Sequence, residues 1–104
     1  MSEESEHKKA QKFWILEPID GTANFSKGVP SFATAISFVN NGRLELAAIY
    51  SPITDDLFFS RYKYGSWLNG RVIKVSDRAD LYRANMSLEL FLEPDAYKYY
   101  ARIL

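Results

Sequence analysis

From Phe13 to Leu16 the chain is continuously apolar, and Pro18 biases Glu17 toward an extended backbone, so the pattern predicts a buried strand over Phe13–Glu17. Its acids lie at the carboxyl end. Asp20-Gly21-Thr22 then reads as a turn into a short helix over Thr22–Ser26, with Asp20 or Thr22 available as its cap, and Lys27-Gly28-Val29-Pro30 closes that turn. Beyond Ser31 the period changes to two. Thr34, Ile36 and Phe38 face one way and Ala33, Ala35, Ser37 and Val39 the other, until Asn40-Asn41-Gly42-Arg43 supplies a hairpin turn.

The return strand is expected over Leu44–Tyr50, and Ser51-Pro52 breaks it. Asp55-Asp56 starts a further turn. Leu57–Tyr62 reads as a third strand of the same meander, followed by short strands at Ser66–Leu68 and Arg71–Val75 on either side of Asn69-Gly70. Asp77–Leu81 fits a helical turn and Ala84–Leu88 a further strand, and Pro94 suits the first turn of a helix over Asp95–Leu104.

Composition narrows the class of molecule. At 104 residues there is room for one domain and one core, and 47% hydrophobic with 15% aromatic residues argues for folding over intrinsic disorder. Thirteen acidic and thirteen basic side chains cancel, so no overall charge draws the chain to nucleic acid or an anionic membrane. Neither is expected as a partner. No apolar run is long enough for a signal-peptide core or a membrane span, and the absence of cysteine removes disulfides and thiolate metal ligands. A cytoplasmic location is the expectation. Tyr97, Tyr99 and Tyr100 could stack on bases, but at helical spacing they read better as packing residues, and His7, alone in a charged segment, reads as exposed tail.

The chemistry concentrates in WILEPIDGTANF, residues 14–25. Pro18 and the turn bring Glu17 and Asp20 toward a shared point, where two anions repel unless a proton or a cation intervenes. Oxygen donors without histidine or cysteine suit a hard ion such as Mg²⁺, and the Ile19 carbonyl could be a third donor. Gly21 and Thr22 would present free backbone N–H groups at a helix start, which favours an anion beside that cation. A phosphate ester bridging the two sites is the chemistry this suggests, with metal-activated water attacking phosphorus. A solvated acidic turn with an N-cap fits the same spacing.

WILEPIDGTANF resembles the W-[IV]-[IL]-D-P-[IL]-D-G-T-x-N-F signature of the inositol monophosphatase family. Lys27 to Ala33, Ala47 to Pro52, Asp56-Leu57-Phe58 and Leu68 to Arg71 resemble successive family segments in the same order, and Ser2-Glu3-Glu4-Ser5 resembles its G-E-E-S segment. The resemblance implies an α/β fold, an α+β layered sandwich of the sugar-phosphatase type. Its sheet is mostly antiparallel with flanking helices, here incomplete. It further implies Mg²⁺ held by Glu3, Glu17, Asp20 and the Ile19 carbonyl, with Gly21 and Thr22 binding phosphate and Thr22 and Asp20 acting in catalysis. The implied activity is Mg²⁺-dependent hydrolysis of a phosphomonoester, an inositol phosphate or a small phosphorylated sugar.

Two departures from the family pattern change the expectation. Glu17 stands where the signature has aspartate, and the added methylene implies weaker or displaced binding of the second of two metals. The chain also lacks counterparts of the helices that precede G-E-E-S and of the second domain, so residues 1–104 are expected to be a partial N-terminal metal-binding domain with weak activity or none. A homodimer or a complementing fragment would then be the partner. The alternative reading is a non-catalytic fragment acting as a protein-interaction module.

Overall fold

The computed structural model describes residues 11–87 together with Lys98, Ala101 and Arg102. Six strands, β1 (Lys12–Asp20), β2 (Ala33–Asn40), β3 (Arg43–Ser51), β4 (Asp56–Arg61), β5 (Gly65–Leu68) and β6 (Arg71–Ile73), form one antiparallel sheet in chain order. A helix α1 (Thr22–Ser26) follows β1, as the sequence predicts, and a 3₁₀ turn spans Leu81–Arg83.

Local turn chemistry sets this meander. At the β2–β3 and β5–β6 connections Asn41-Gly42 and Asn69-Gly70 both adopt left-handed backbone, with φ of 50° and 77° in the first pair and 51° and 80° in the second. Two consecutive positive φ values define the tight hairpin turn whose twist matches antiparallel strands. Asn69 does more than turn. Its amide Nδ2 donates to Asp56 Oδ1 at 2.8 Å while its Oδ1 accepts from Leu57 N at 2.8 Å, so the β5–β6 turn is tied to the start of β4.

The cross-strand register separates two faces, because directly opposed residues point the same way. Trp14 opposes Phe38, Leu16 opposes Ile36, and Phe59 opposes both Ala48 and Trp67. These stack. Ring centroids lie 4.9 Å apart for Trp14–Phe38 and 5.6 Å for Phe59–Trp67. The other face carries Ile15, Glu17, Ile49 and Phe58 in the corresponding rows. The predicted alternation of Thr34, Ile36 and Phe38 against their neighbours is therefore present.

Burial differs from the expectation. None of the described residues is buried; Trp14 is 55% and Leu16 60% exposed, so β1 is a strand but not a buried one. A domain core forms between packed layers. Among residues 11–87 a single sheet carries one five-residue helix at its margin, and these residues supply no second layer over either face.

Other boundaries also move. The strand continues through Pro18 to Asp20, β6 stops at Ile73 instead of Val75, and Asp77–Asp80 is irregular. The turn expected there begins at Leu81, where Asp80 Oδ1 accepts from Tyr82 N at 3.0 Å and so sets the start. Residues 84–87 form no strand and pair with none among the described residues, and Leu88 lies outside them. Of the expected Asp95–Leu104 helix, Lys98, Ala101 and Arg102 are helical; Pro94, Tyr97, Tyr99 and Tyr100 lie outside the described residues, as does His7.

Candidate metal and phosphate site

A β-bulge builds the acidic corner. Glu17 opposes Ala35 and Asp20 opposes Ala33, so Pro18 and Ile19 together face the single residue Thr34. Three positions apart on a regular strand, the two acids would point to opposite faces. The extra residue restores them to one face. Proline is suited to this place, since β1 is an edge strand and the bulge needs no ladder donor there. Thr34 Oγ1 donates to the Pro18 carbonyl at 2.7 Å, which satisfies the acceptor nearest the irregularity.

Both carboxylates are exposed, and their cross-strand neighbours Ala33 and Ala35 offer only methyl groups. No hydrogen bond or ion pair among the described residues occupies either acid. The donor set fits a hard cation in kind: carboxylate and carbonyl oxygens, with no cysteine in the chain. It is partial in number, because among the described residues no group of three acidic or histidine side chains forms. Glu3 lies outside them. Ile19, half-buried, occupies the bulge itself.

Gly21 sits at the helix start with φ of 85° and ψ of 41°, and no side chain caps the helix, so neither Asp20 nor Thr22 plays the predicted capping part. The left-handed turn takes the place of a cap. Glycine is required there twice over, by the positive φ and because a Cβ would lie 2.8 Å from the Ser31 carbonyl oxygen. That close approach folds the helix back onto the loop before β2. Asn24 Nδ2 donates to the same Ser31 oxygen at 3.0 Å, and Phe25 meets Phe32 edge to face at 5.0 Å.

The fold-back borders an open cleft of about 300 Å³ lined by Asp20, Gly21, Asn24, Pro30 to Ala33, Ser51 at the end of β3, and Ile53 and Thr54 from the β3–β4 turn. Asp20 and Gly21 are thus brought together in it. Glu17, Ile19 and Thr22 stand outside its lining, Thr22 as the exposed first residue of α1. Ser51 and Thr54, which hydrogen-bond to each other at 2.9 Å, are lining residues the sequence reading did not single out. Only the strand order brings them there.

Next to the cleft, the β3–β4 turn has its own electrostatics. Hydrogen bonds from Thr54 and Asn69 hold the Asp56 carboxyl below the usual carboxylate range. Tyr50 donates to Asp55 Oδ1 at 2.7 Å, which raises the phenol above its ordinary value. Tyr50 is exposed and Asp56 half-buried.

Among curated proteins, the chain is 36% identical over 81 residues to the fructose-1,6-bisphosphatase/inositol-1-monophosphatase of Thermotoga maritima, covering 78% of this chain and 32% of that one. It is 41% identical over 76 residues to the Nus factor SuhB of Vibrio cholerae, covering 73% and 28%. The chain thus spans about a third or less of the length of these relatives. Among solved structures, the extragenic suppressor protein suhB of Bartonella henselae superposes with a TM-score of 0.64 at 38% identity, over 68% of this chain and 28% of that one. Its likeness bears out the fold class expected from the sequence, an α/β layered arrangement whose sheet is mostly antiparallel. The inositol monophosphatase family model matches residues 1–94, nearly the whole of the sequence, and the chain belongs to that family.

Proposed function

We propose that this chain carries the metal and phosphate corner of an Mg²⁺-dependent phosphomonoesterase acting on an inositol phosphate or a small phosphorylated sugar. The observation that supports it is the bulge at Pro18–Ile19, which sets Glu17 and Asp20 on one face immediately before the left-handed Gly21. Members of the family are phosphatases, and the Thermotoga maritima relative is named for two such activities.

In this reading Glu17 and Asp20 hold Mg²⁺ through their carboxylates, Ile19 through its carbonyl and Glu3 completes the set. When bound, Mg²⁺ supplies an activated water and neutralises charge on the phosphate. Gly21 and Thr22 present backbone N–H groups at the start of α1 to the phosphate oxygens, because the first donors of a helix have no partner within it. Thr22 Oγ1 orients the attacking water, and Asp20 serves from the cleft side. Both carboxylates are exposed to solvent, so the chain by itself turns over substrate weakly or not at all. Water exclusion is part of catalysis.

The test is calorimetric titration of the chain with Mg²⁺, with and without inorganic phosphate, beside Asp20→Ala. Heat of binding that phosphate strengthens and Asp20→Ala removes is the expected result. Absence of any heat in the parent chain would overturn the reading.

A second reading has one observation in its favour. Exposed apolar residues on both faces, Trp14, Leu16, Ile49 and Leu57 among them, are more than isolated surface positions, and contiguous apolar patches mark interaction surfaces. A non-catalytic protein-interaction module would use them without metal. Partner binding that persists in Asp20→Ala separates it from the first.

A further inference from the structure

Asn41-Gly42 and Asn69-Gly70 close their hairpins with nearly the same backbone, φ of 50° and 77° against 51° and 80°, and all four residues are exposed. A Cβ at either glycine would meet nothing within 4 Å, so neither turn is crowded on that side. The two asparagine side chains differ. Asn69 is held at both ends of its amide, Nδ2 by Asp56 Oδ1 and Oδ1 by Leu57 N, each at 2.8 Å. Asn41 donates through its backbone N–H to the Gln11 carbonyl, and its side-chain amide has no hydrogen bond among the described residues.

We propose that Asn41 is a site of spontaneous covalent modification, deamidation through a succinimide to aspartate or isoaspartate, and that Asp56 and Leu57 guard Asn69 against the same reaction. The Gly42 nitrogen attacks Asn41 Cγ and gives up its proton, a new N–Cγ bond forms, and the Cγ–Nδ2 bond breaks with release of ammonia. Water then adds to one of the two ring carbonyls and opens the ring. The net change is asparagine plus water to acid plus ammonia, with no oxidant, reductant or cofactor. Glycine on the carboxyl side suits the attack, because it puts no side chain in the way of its own nitrogen.

Attack needs the turn to relax from its left-handed backbone and the amide carbon to swing over the next nitrogen, so its rate follows local opening. At Asn41 only main-chain bonds resist. At Asn69 two further hydrogen bonds open first, one of them to a carboxylate. That tether outweighs the short ladder between β5 and β6, which by itself makes this hairpin the easier of the two to fray. Ring opening at the Asn41 main-chain carbonyl inserts a methylene into the backbone where two successive positive φ values set the turn, so isoaspartate there disturbs the β2–β3 register.

The experiment incubates the full chain in mildly alkaline buffer, folded and in urea, and follows both sites by mass spectrometry after digestion with trypsin, which places them on separate peptides, residues 28–43 and 64–71. Urea supplies the intrinsic rates. Relative to that ratio, Asn41 should convert at least about tenfold faster than Asn69 in the folded chain, as expected for two hydrogen bonds of ordinary net strength. Asp56→Ala removes one of the two, and should speed Asn69 about fivefold while leaving Asn41 unchanged. A folded-chain ratio equal to that in urea, a faster reaction at Asn69, or an Asn69 rate unaffected by Asp56→Ala would overturn the proposal.

Discussion

Glu17 and Asp20 point to the same face of the sheet because Pro18 and Ile19 together oppose the single residue Thr34. The relationship depends on one extra residue in β1 and on the hydroxyl that stabilises it. Everything proposed about the corner follows from that placement.

Thr34→Val tests the pin. It keeps the β-branched shape and removes the 2.7 Å hydrogen bond to the Pro18 carbonyl. A loss of about 1 kcal/mol is expected, the usual net value of one such bond. The urea midpoint measures it, and amide exchange should rise around Pro18–Asp20 more than at the Asn69-Gly70 turn.

Gly21→Ala should destabilise more than Gly28→Ala. Both glycines have positive φ, 85° and 72°, but only at Gly21 does a Cβ meet backbone, 2.8 Å from Ser31 O, while nothing lies within 4 Å at Gly28. Backbone strain alone costs about 1–3 kcal/mol, and the clash adds to it at Gly21. Paired denaturation curves check the order; equal costs would mean that the fold-back onto the β2 loop is not tight.

Asp56 sets an acid dependence. Its folded-state pKa is lowered by hydrogen bonds from Thr54 and Asn69, so it stabilises the fold above the unfolded value of about 3.9 and that contribution disappears as pH falls through the lower folded value. Melting temperature should fall on acidification below about pH 4, and Asp56→Asn should flatten that limb. Tyr50 acts at the opposite end. Its raised pKa, caused first by the hydrogen bond to Asp55, gives stability that is present below the unfolded value of about 10 and lost as pH rises through the folded one. Tyr50→Phe should remove that alkaline limb.

The isolated chain should self-associate. Trp14 at 55%, Leu16 at 60% and Val72 at 67% exposure lie on one apolar face, in rows joined by the register. Covering such a face removes roughly 25 cal/mol per Å² of apolar area. Sedimentation velocity should show oligomers that Trp14→Lys with Leu57→Lys disperses. A monomer that binds no hydrophobic dye would contradict this.

Much of the fold was legible locally. Asn-Gly at both hairpins and the alternation after Ser31 carried β2, β3, β4 and β5, because each is set by neighbours in sequence. Helix α1 was legible to its ends. The burial of Phe13–Glu17 was not, because an apolar run records what a strand packs against in a finished fold, and no layer among the described residues covers it. Nor did the spacing show that Glu17 and Asp20 need a bulge to share a face, or that Ser51 and Thr54 would line the cleft across the sheet. Those depend on register and strand order, which no short window contains.

The most direct test of the central claim is a double-mutant cycle on divalent-cation affinity, using Glu17→Gln, Asp20→Asn and the two combined. If the two carboxylates hold one ion, each single change weakens binding and the double variant is little weaker than either, a coupling of about 1 kcal/mol or more. Additive losses, or no loss from either change, would contradict the shared site.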